Sequence, residues 1–227
     1  MKILFFDLEF ADSRVPGSIY SMGYVVTDES LLPLEEARDL LINPATGWHE
    51  YVKEHILAYP VEEVEAAPCF DERYGEISRL FSEADLVVGF AIGNDNHALR
   101  KACERYGLPM PVYRWLDMER LCRQIPRHRD ARGLAGCVRA WCGFDPDHRH
   151  RSDGDAEATR MLFARIAAYL HATPEMFPIA YPDCTGTTGE QKKKKSPSRR
   201  RYSGARGQKR QNFRKQNNSQ KKKTEID

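Results

Sequence analysis

One short stretch, Lys2 to Phe10, limits the possible folds most, because four apolar residues are followed at once by Asp7 and Glu9. An uninterrupted apolar segment of this kind is typical of a central strand that is covered on both faces. Side chains alternate along a strand, so Asp7 and Glu9 project from the same face. Two neighbouring carboxylates repel one another, and a hard cation with oxygen ligands relieves that repulsion. Taken alone, the pair also fits two surface acids at the end of a strand.

The order of the remaining segments predicts an α/β fold. Three early strands with short loops favour an antiparallel meander, and later strands that alternate with helices favour parallel pairing. The first strand ends at the acidic pair, and the other predicted strands are Ser18–Thr27, Leu40–Asn43, Asp85–Ala91 and Val112–Asp117. The predicted helices are Trp48–Leu57, Asp71–Ser82, one from Asp95, Met118–Ile125, Gly133–Cys142 and one from Asp155. We therefore expect a five-stranded mixed sheet flanked by helices.

Two of the predicted helices begin with an aspartate on their apolar face. Asp95 precedes apolar residues at helical spacing, and Asp155 does the same in the last long helix. The residues expected to be buried with them are Leu99, Ala102, Cys103 and Tyr106 in the first helix, and Ala158, Thr159, Leu162, Ile166, Tyr169 and Leu170 in the second. An acid in the first turn is also favoured by the helix dipole, so a purely structural role for Asp95 remains open.

The ordered set of acids resembles the DEDDh family of 3′→5′ exonucleases, whose members include proofreading exonucleases, ribonuclease T and oligoribonuclease. Asp7 and Glu9 match the first motif, Asp95 matches the second, and His150 with Asp155 matches the third. His148 and Asp153 have the same spacing as His150 and Asp155. The family's third motif continues Asp-Ala-x-x-Thr, which favours Asp155-Ala156-Glu157-Ala158-Thr159 and therefore His150. The resemblance covers roughly residues 1–172 and implies a ribonuclease H-like fold.

The resemblance also implies a reaction: metal-dependent hydrolysis from the 3′ end of single-stranded DNA or RNA. Two Mg²⁺ or Mn²⁺ ions would be held by Asp7, Glu9, Asp95 and Asp155, with Asp7 bridging the two. His150 would act as the general base that takes the proton of the attacking water. Phe10 would stack on the terminal base, or it would pack in the core.

The charge of the chain is divided between its two ends. Of its 35 Lys and Arg and 33 Asp and Glu residues, 15 basic residues and only 2 acidic ones fall in residues 191–227. Residues 1–190 are therefore acidic, with a net charge of −11, and the tail carries +13. The composition predicts an exonuclease domain over residues 1–180 and a disordered, Lys/Arg-rich tail over 185–227. The tail would tether phosphates without sequence preference, or serve as a solubilising or localisation segment.

Other function classes are disfavoured by the sequence. The apolar run at the start of the chain has too few residues for a signal peptide, and no apolar segment is long enough to span a membrane. The six cysteines show no zinc or disulfide spacing, so we expect a soluble cytoplasmic protein.

Two alternatives remain: a nucleic-acid-binding adaptor that lost turnover, and a regulatory subunit whose tail docks on a larger assembly. The basic residues 127–132 form either a solvated loop or a phosphate contact.

Overall fold

The computed structural model describes residues 1–146 and 150–189, and in it β1 (Ile3–Phe10) lies inside a six-stranded mixed sheet. The strand order is β3-β2-β1-β4-β5-β6. The other strands are β2 (Ile19–Thr27), β3 (Arg38–Leu41), β4 (Leu86–Gly89), β5 (Arg114–Asp117) and β6 (Thr185–Thr187). The first three strands are antiparallel, β4 and β5 continue the sheet parallel to β1, and β6 pairs antiparallel with β5. The predicted mixed sheet is confirmed, with one strand more than expected.

Eight α-helices connect and cover these strands in the described residues. They are α1 (Glu50–His55), α2 (Val61–Glu65), α3 (Phe70–Glu83), α4 (Gly93–Tyr106), α5 (Met118–Gln124), α6 (Gly133–Cys142), α7 (Ser152–Leu170) and α8 (Phe177–Ala180). Within the same residues, no helix combines the length and the apolar composition that crossing a membrane requires.

The alternation of side chains along β1 divides the core into two layers. Ile3 and Phe5 pack with α7, where the ring of Phe163 lies 6.0 Å from that of Phe5. Leu4 and Phe6 pack on the opposite face, where Phe6 meets Phe81 of α3 edge-on at 5.0 Å. Burying a side chain of this size contributes roughly 1.5–3 kcal/mol, so β1 is held firmly from both sides. Asp7 and Glu9 continue the α7 face of the strand.

Helix α7 begins earlier than the sequence pattern indicated, and two residues near its carboxyl end are not buried as expected. It starts at Ser152, so Asp155 lies at the end of its first turn. Tyr169 was expected to be buried, but 45% of it is exposed. Its ring packs against Trp141 of α6 at 5.3 Å instead, and it borders the core without entering it. Leu170 is likewise only partly buried and packs at the border of the same core cluster.

The sixth strand lies beyond residue 180 and was expected to belong to the tail. A Cβ atom on Gly186 would lie 2.5 Å from the ring of Trp115, so only glycine lets β6 approach β5 this closely. Thr188 then donates to the carbonyl of Pro111 at 2.7 Å and accepts from the backbone of Tyr113 at 3.1 Å. Small polar residues carry no strand periodicity, which explains why the sequence did not predict this pairing. The predicted disorder of the tail from residue 190 onward falls outside the described residues.

Candidate metal centre

The carboxyl half of β1 carries the two acids at a place where one edge of the strand has no neighbouring strand. Pairing with β4 runs only from Ile3 to Phe5, whereas pairing with β2 continues past Asp7 and Glu9. The register on that side changes between Glu9 and Phe10, which is a β-bulge. The two carboxylates therefore lie at an opening in the sheet, where side chains from the surrounding helices can approach them.

Close packing of α7 on β2 brings the third acid to this place. Gly23 is opposite Asp7 in the sheet, and a Cβ atom there would lie only 1.8 Å from the backbone carbonyl carbon of Ser152. The first turn of α7 thus rests directly on the backbone of β2. As a result, carboxylate oxygens of Asp7, Glu9 and Asp155 lie within 4.8 Å of one another. These three side chains are called the three-carboxylate centre below.

Asp95 approaches from the other side, in the first turn of α4. It is only 5% exposed, and it is not a member of the three-carboxylate centre. Burial raises the pKa of its carboxyl to about 7, although hydrogen bonds from its own backbone amide and that of Leu8 oppose the change. Its contact with Leu8 places Asp95 along the edge of β1 that β4 leaves open. Its negative charge raises the pKa values of Asp7 and Glu9.

The electrostatics of the centre are those of crowded acids that raise one another's pKa values. Burial raises the pKa of Glu9 to about 8, with further contributions from Asp155, Asp95 and Asp39. The pKa of Asp7 is raised well above its ordinary value, first by burial and then by Asp95, Glu9 and Asp155. A divalent cation would replace the protons that these groups otherwise retain. Closely spaced carboxylate oxygens with no sulfur or imidazole among them fit Mg²⁺ or Mn²⁺ better than zinc.

The remaining predicted site residues are placed as follows. His150 is exposed in the turn just before α7, and its backbone φ of 66° lies in the left-handed region. Its alternative, His148, lies outside the described residues. Phe10 is half-buried and packs against the core cluster on the α3 and α4 side. The structure thus brings three of the predicted ligands together with Asp95 beside them, while the roles of His150 and Phe10 stay predictions.

Sequence reasoning missed a hydrogen-bond network beside this centre. Asp39 on β3 accepts hydrogen bonds from Ser21 at 2.7 Å, from Ser152 at 2.8 Å and from Tyr59 at 2.6 Å. The hydroxyls of Ser21 and Ser152 also contact each other. A further buried hydroxyl, that of Tyr20, has no hydrogen-bond partner among the described residues, and burial next to Glu9 and Asp39 raises its pKa. Asp39 follows two other acids, Glu35 and Glu36, so nothing in the sequence distinguished it from a surface acid.

No family model matches the chain, and no curated protein matches it either. Solved structures do match the chain. The nuclease domain of 3′hExo, described as a DEDDh family member bound to rAMP, is 15% identical with a TM-score of 0.62, covering 74% of this chain and 92% of that one. A 3′-exonuclease described in 3′-end specific recognition of histone mRNA stem-loop is 14% identical, with a TM-score of 0.63 over 76% of this chain and 84% of that chain.

A third similar structure is E. coli Exonuclease I in complex with a dA16 oligonucleotide, which is 16% identical with a TM-score of 0.62. The match covers 74% of this chain but only 41% of Exonuclease I. Likeness at this level of identity establishes the fold. The ribonuclease H-like architecture predicted from the sequence is therefore confirmed, and it is the architecture of DEDDh 3′ exonucleases.

Proposed function

We propose that this chain, which shares the fold of DEDDh 3′ exonucleases, is a divalent-metal-dependent 3′→5′ exonuclease acting on single-stranded nucleic acid. The observation that carries the proposal is the convergence of Asp7, Glu9 and Asp155 within 4.8 Å at the open end of β1. Crowded carboxylates with raised pKa values, as those of Asp7 and Glu9 are, destabilise a protein unless they serve a function, and such groups cluster at functional sites. The fold shared with nucleases, together with the resemblance of the acid motifs to the DEDDh family, supports nuclease activity as that function.

Each residue has a distinct task in the proposed reaction. Asp7, Glu9 and Asp155 would hold one cation, and Asp7 with Asp95 would hold a second, directly or through water. Bound cations of this kind lower the pKa of water and stabilise the charge of a phosphodiester under attack. His150 accepts the proton that the attacking water loses, and its exposed position in the turn before α7 leaves it accessible to solvent.

The substrate is proposed from the neighbours and from the chain's own charge. The similar structures contain rAMP in one case and a dA16 oligonucleotide in another, so nucleic acid is the ligand class we expect here. Phe10 follows Glu9 at the β-bulge, and we expect its half-buried ring to contact a terminal base. The basic residues 191–227 would supply the attraction for phosphate that the acidic domain lacks.

The test is an assay with 5′-labelled DNA and RNA oligonucleotides in Mg²⁺ or Mn²⁺. Stepwise shortening that keeps the label on the long product is expected, because removal then starts at the 3′ end. Asp155→Asn should remove this activity, while Asp71→Asn, an exposed acid in the first turn of α3, should not. Immediate release of labelled mononucleotide would contradict the direction. Binding of oligonucleotides without any cleavage would identify the chain as an adaptor.

A further inference from the structure

We propose that Asp39 is a positioning residue that fixes the first turn of α7 on the sheet and thereby holds Asp155 opposite Asp7 and Glu9. This inference rests on the proposed function, because it assigns Asp39 a task in assembling the same centre. Asp39 itself would touch neither substrate nor cation. Its effect would pass through Ser152 and the helix that Ser152 begins.

The geometry places one carboxylate at the meeting point of three structural elements. Oδ1 of Asp39, on β3, accepts from Ser21 of β2 and from Ser152 of α7, and Oδ2 accepts from Tyr59 in the segment between α1 and α2. All three partners are hydroxyl groups that can donate, and an ionised carboxylate is an acceptor only.

The position of Ser152 in its helix explains why this bond matters to the centre. Ser152 is fully buried and is the first residue of α7, while the preceding residue, Arg151, makes no side-chain capping bond. Residues three apart lie on the same side of a helix, so fixing Ser152 also fixes the direction in which Asp155 projects. The third carboxylate, that of Asp155, lies in this first turn. A hydrogen bond at Ser152 therefore fixes both the distance of the turn from the sheet and its rotation about the helix axis.

The close contact at Gly23 requires such an anchor. Backbone of α7 lies against backbone of β2 there, and backbone-to-backbone contact has no interlocking side chains to define the helix register. Asp39 is the direct partner of Gly23 on the far side, in the pairing of β2 with β3. The Asp39 carboxylate thus extends past Gly23 to α7. It supplies a directional hydrogen bond that the backbone contact at Gly23 lacks.

Two kinds of substitution distinguish positioning from simple charge. Asp39→Asn keeps an oxygen that accepts from both serines, and its amide group donates to the Tyr59 hydroxyl, but the negative charge is lost. Asp39→Ala removes charge and hydrogen bonds together, and Ser152→Ala removes one bond and leaves the charge. Ser18→Ala is the matched control, since Ser18 is equally buried but bonds only within the turn that begins at Asp12.

Three measurements on the full chain test the proposal: Mn²⁺ titration by calorimetry, hydrogen exchange of the α7 first-turn amides, and kcat and KM on an oligonucleotide. Asp39→Ala and Ser152→Ala should each weaken Mn²⁺ binding about tenfold or more, the range seen when a supporting contact of a metal ligand is lost. They should also speed exchange in the first turn and lower kcat with little change in KM. Asp39→Asn and Ser18→Ala should stay within about twofold of the wild type.

Two results would overturn the inference. Wild-type Mn²⁺ affinity in Asp39→Ala and Ser152→Ala would show that the network does not position Asp155, and equal losses in Asp39→Asn and Asp39→Ala would assign the effect to charge. If Asp39→Ala does not fold, Ser152→Ala decides. A wild type that binds Mn²⁺ but cleaves nothing would refute the proposed function alone, since affinity and exchange still report on the network. A wild type that does not bind Mn²⁺ would refute both.

Discussion

At the residue scale, Asp7 has the most demanding position, since its pKa is raised by burial and by four neighbouring acids at once. Asp7→Ala should abolish hydrolysis, because the side chain that would serve both cations is gone. Binding of a single-stranded oligonucleotide should survive, since Asp7 contributes no attraction for phosphate. Turnover and binding by fluorescence anisotropy, measured on the same preparation, check this. Near-normal turnover in Asp7→Ala would refute a two-cation mechanism.

The assignment of the general base gives a second prediction at the same scale. His150→Ala should lower turnover at neutral pH by about 10²–10⁴-fold, the usual contribution of a general base. His148→Ala should change turnover little, because the Asp-Ala-x-x-Thr pattern that begins at Asp155 selects His150. Single-turnover kinetics on both variants provide the comparison. If the two effects were reversed, the third motif would have been matched two residues out of register.

Glu9 makes stability depend on pH in a direction that can be stated. Its pKa is raised from 4.5 to about 8 in the folded protein, so between these values the folded state binds more protons than the unfolded state. The free energy of unfolding of the metal-free protein should therefore fall as the pH rises from about 4.5 to about 8. Each kcal/mol lost corresponds to about 2–4 °C in Tm for a domain of this size.

Added Mg²⁺ should counteract this loss, because a ligand that binds only the folded state stabilises it. The increase in Tm with Mg²⁺ should be larger at pH 8 than at pH 6, where protons compete for the same carboxylates. Glu9→Gln should flatten the metal-free pH dependence, while Glu62→Gln, an exposed acid in α2, should leave it unchanged. Thermal melts at several pH values are sufficient. An unchanged pH dependence in Glu9→Gln would show that Glu9 does not bind the extra proton.

At the scale of elements, the contact between α7 and β2 should be the least tolerant in the domain. Gly23→Ala would place a Cβ atom 1.8 Å from the backbone of Ser152, so the helix must move away from the sheet. We expect a loss of at least about 1–3 kcal/mol, typical of overpacking a close contact, together with weaker metal binding. Gly75→Ala in α3 meets no atom within 4 Å and should instead stabilise by roughly 0.5–1 kcal/mol. Denaturant unfolding of both variants measures the difference.

The sequence predicted those elements whose residues follow a clear period. Alternation along β1 correctly placed Asp7 and Glu9 on one face, and helical spacing correctly buried Leu162 and Ile166 in α7. Tyr169 has the same spacing, yet it is partly exposed, because periodicity gives the face of a helix but not how far along the helix the core extends. The close approach of α7 to β2 depends on one glycine, and a lone glycine in a strand pattern has several readings.

The unpredicted parts share a physical reason: they are pairings between distant segments without a local pattern. Asp39 belongs to the site only because β3 pairs with β2 in a register that sets it opposite Gly23. The strand β6 is three small residues long and is fixed by contacts to Trp115 and Tyr113, more than seventy residues earlier. Neither strand pairing produces a pattern in the spacing of nearby residues, so only the three-dimensional structure reveals them.

At the scale of the whole molecule, the acidic domain and the basic tail pose an electrostatic problem for the proposed nuclease activity. Residues 1–190 carry 31 acidic and 20 basic residues, so they should repel a polyanion beyond the immediate site. Bound cations offset only the charge of the centre. The 15 basic residues after position 190 should therefore supply much of the substrate capture, and with it the dependence of capture on salt.

Removing residues 191–227 tests whether the tail captures substrate. This deletion leaves β6 and Thr188 in place, so the sheet keeps its sixth strand. The truncated protein should show a strongly raised KM on a 30-mer at low salt, with kcat unchanged. Its slope of log affinity against log salt should be flatter, because each single-strand phosphate contact contributes about 0.7. Cleavage of a dinucleotide, too short to reach a tail, serves as the control and should be the same in both proteins. Equal salt slopes on the 30-mer would exclude substrate capture by the tail and would assign its charge to another partner.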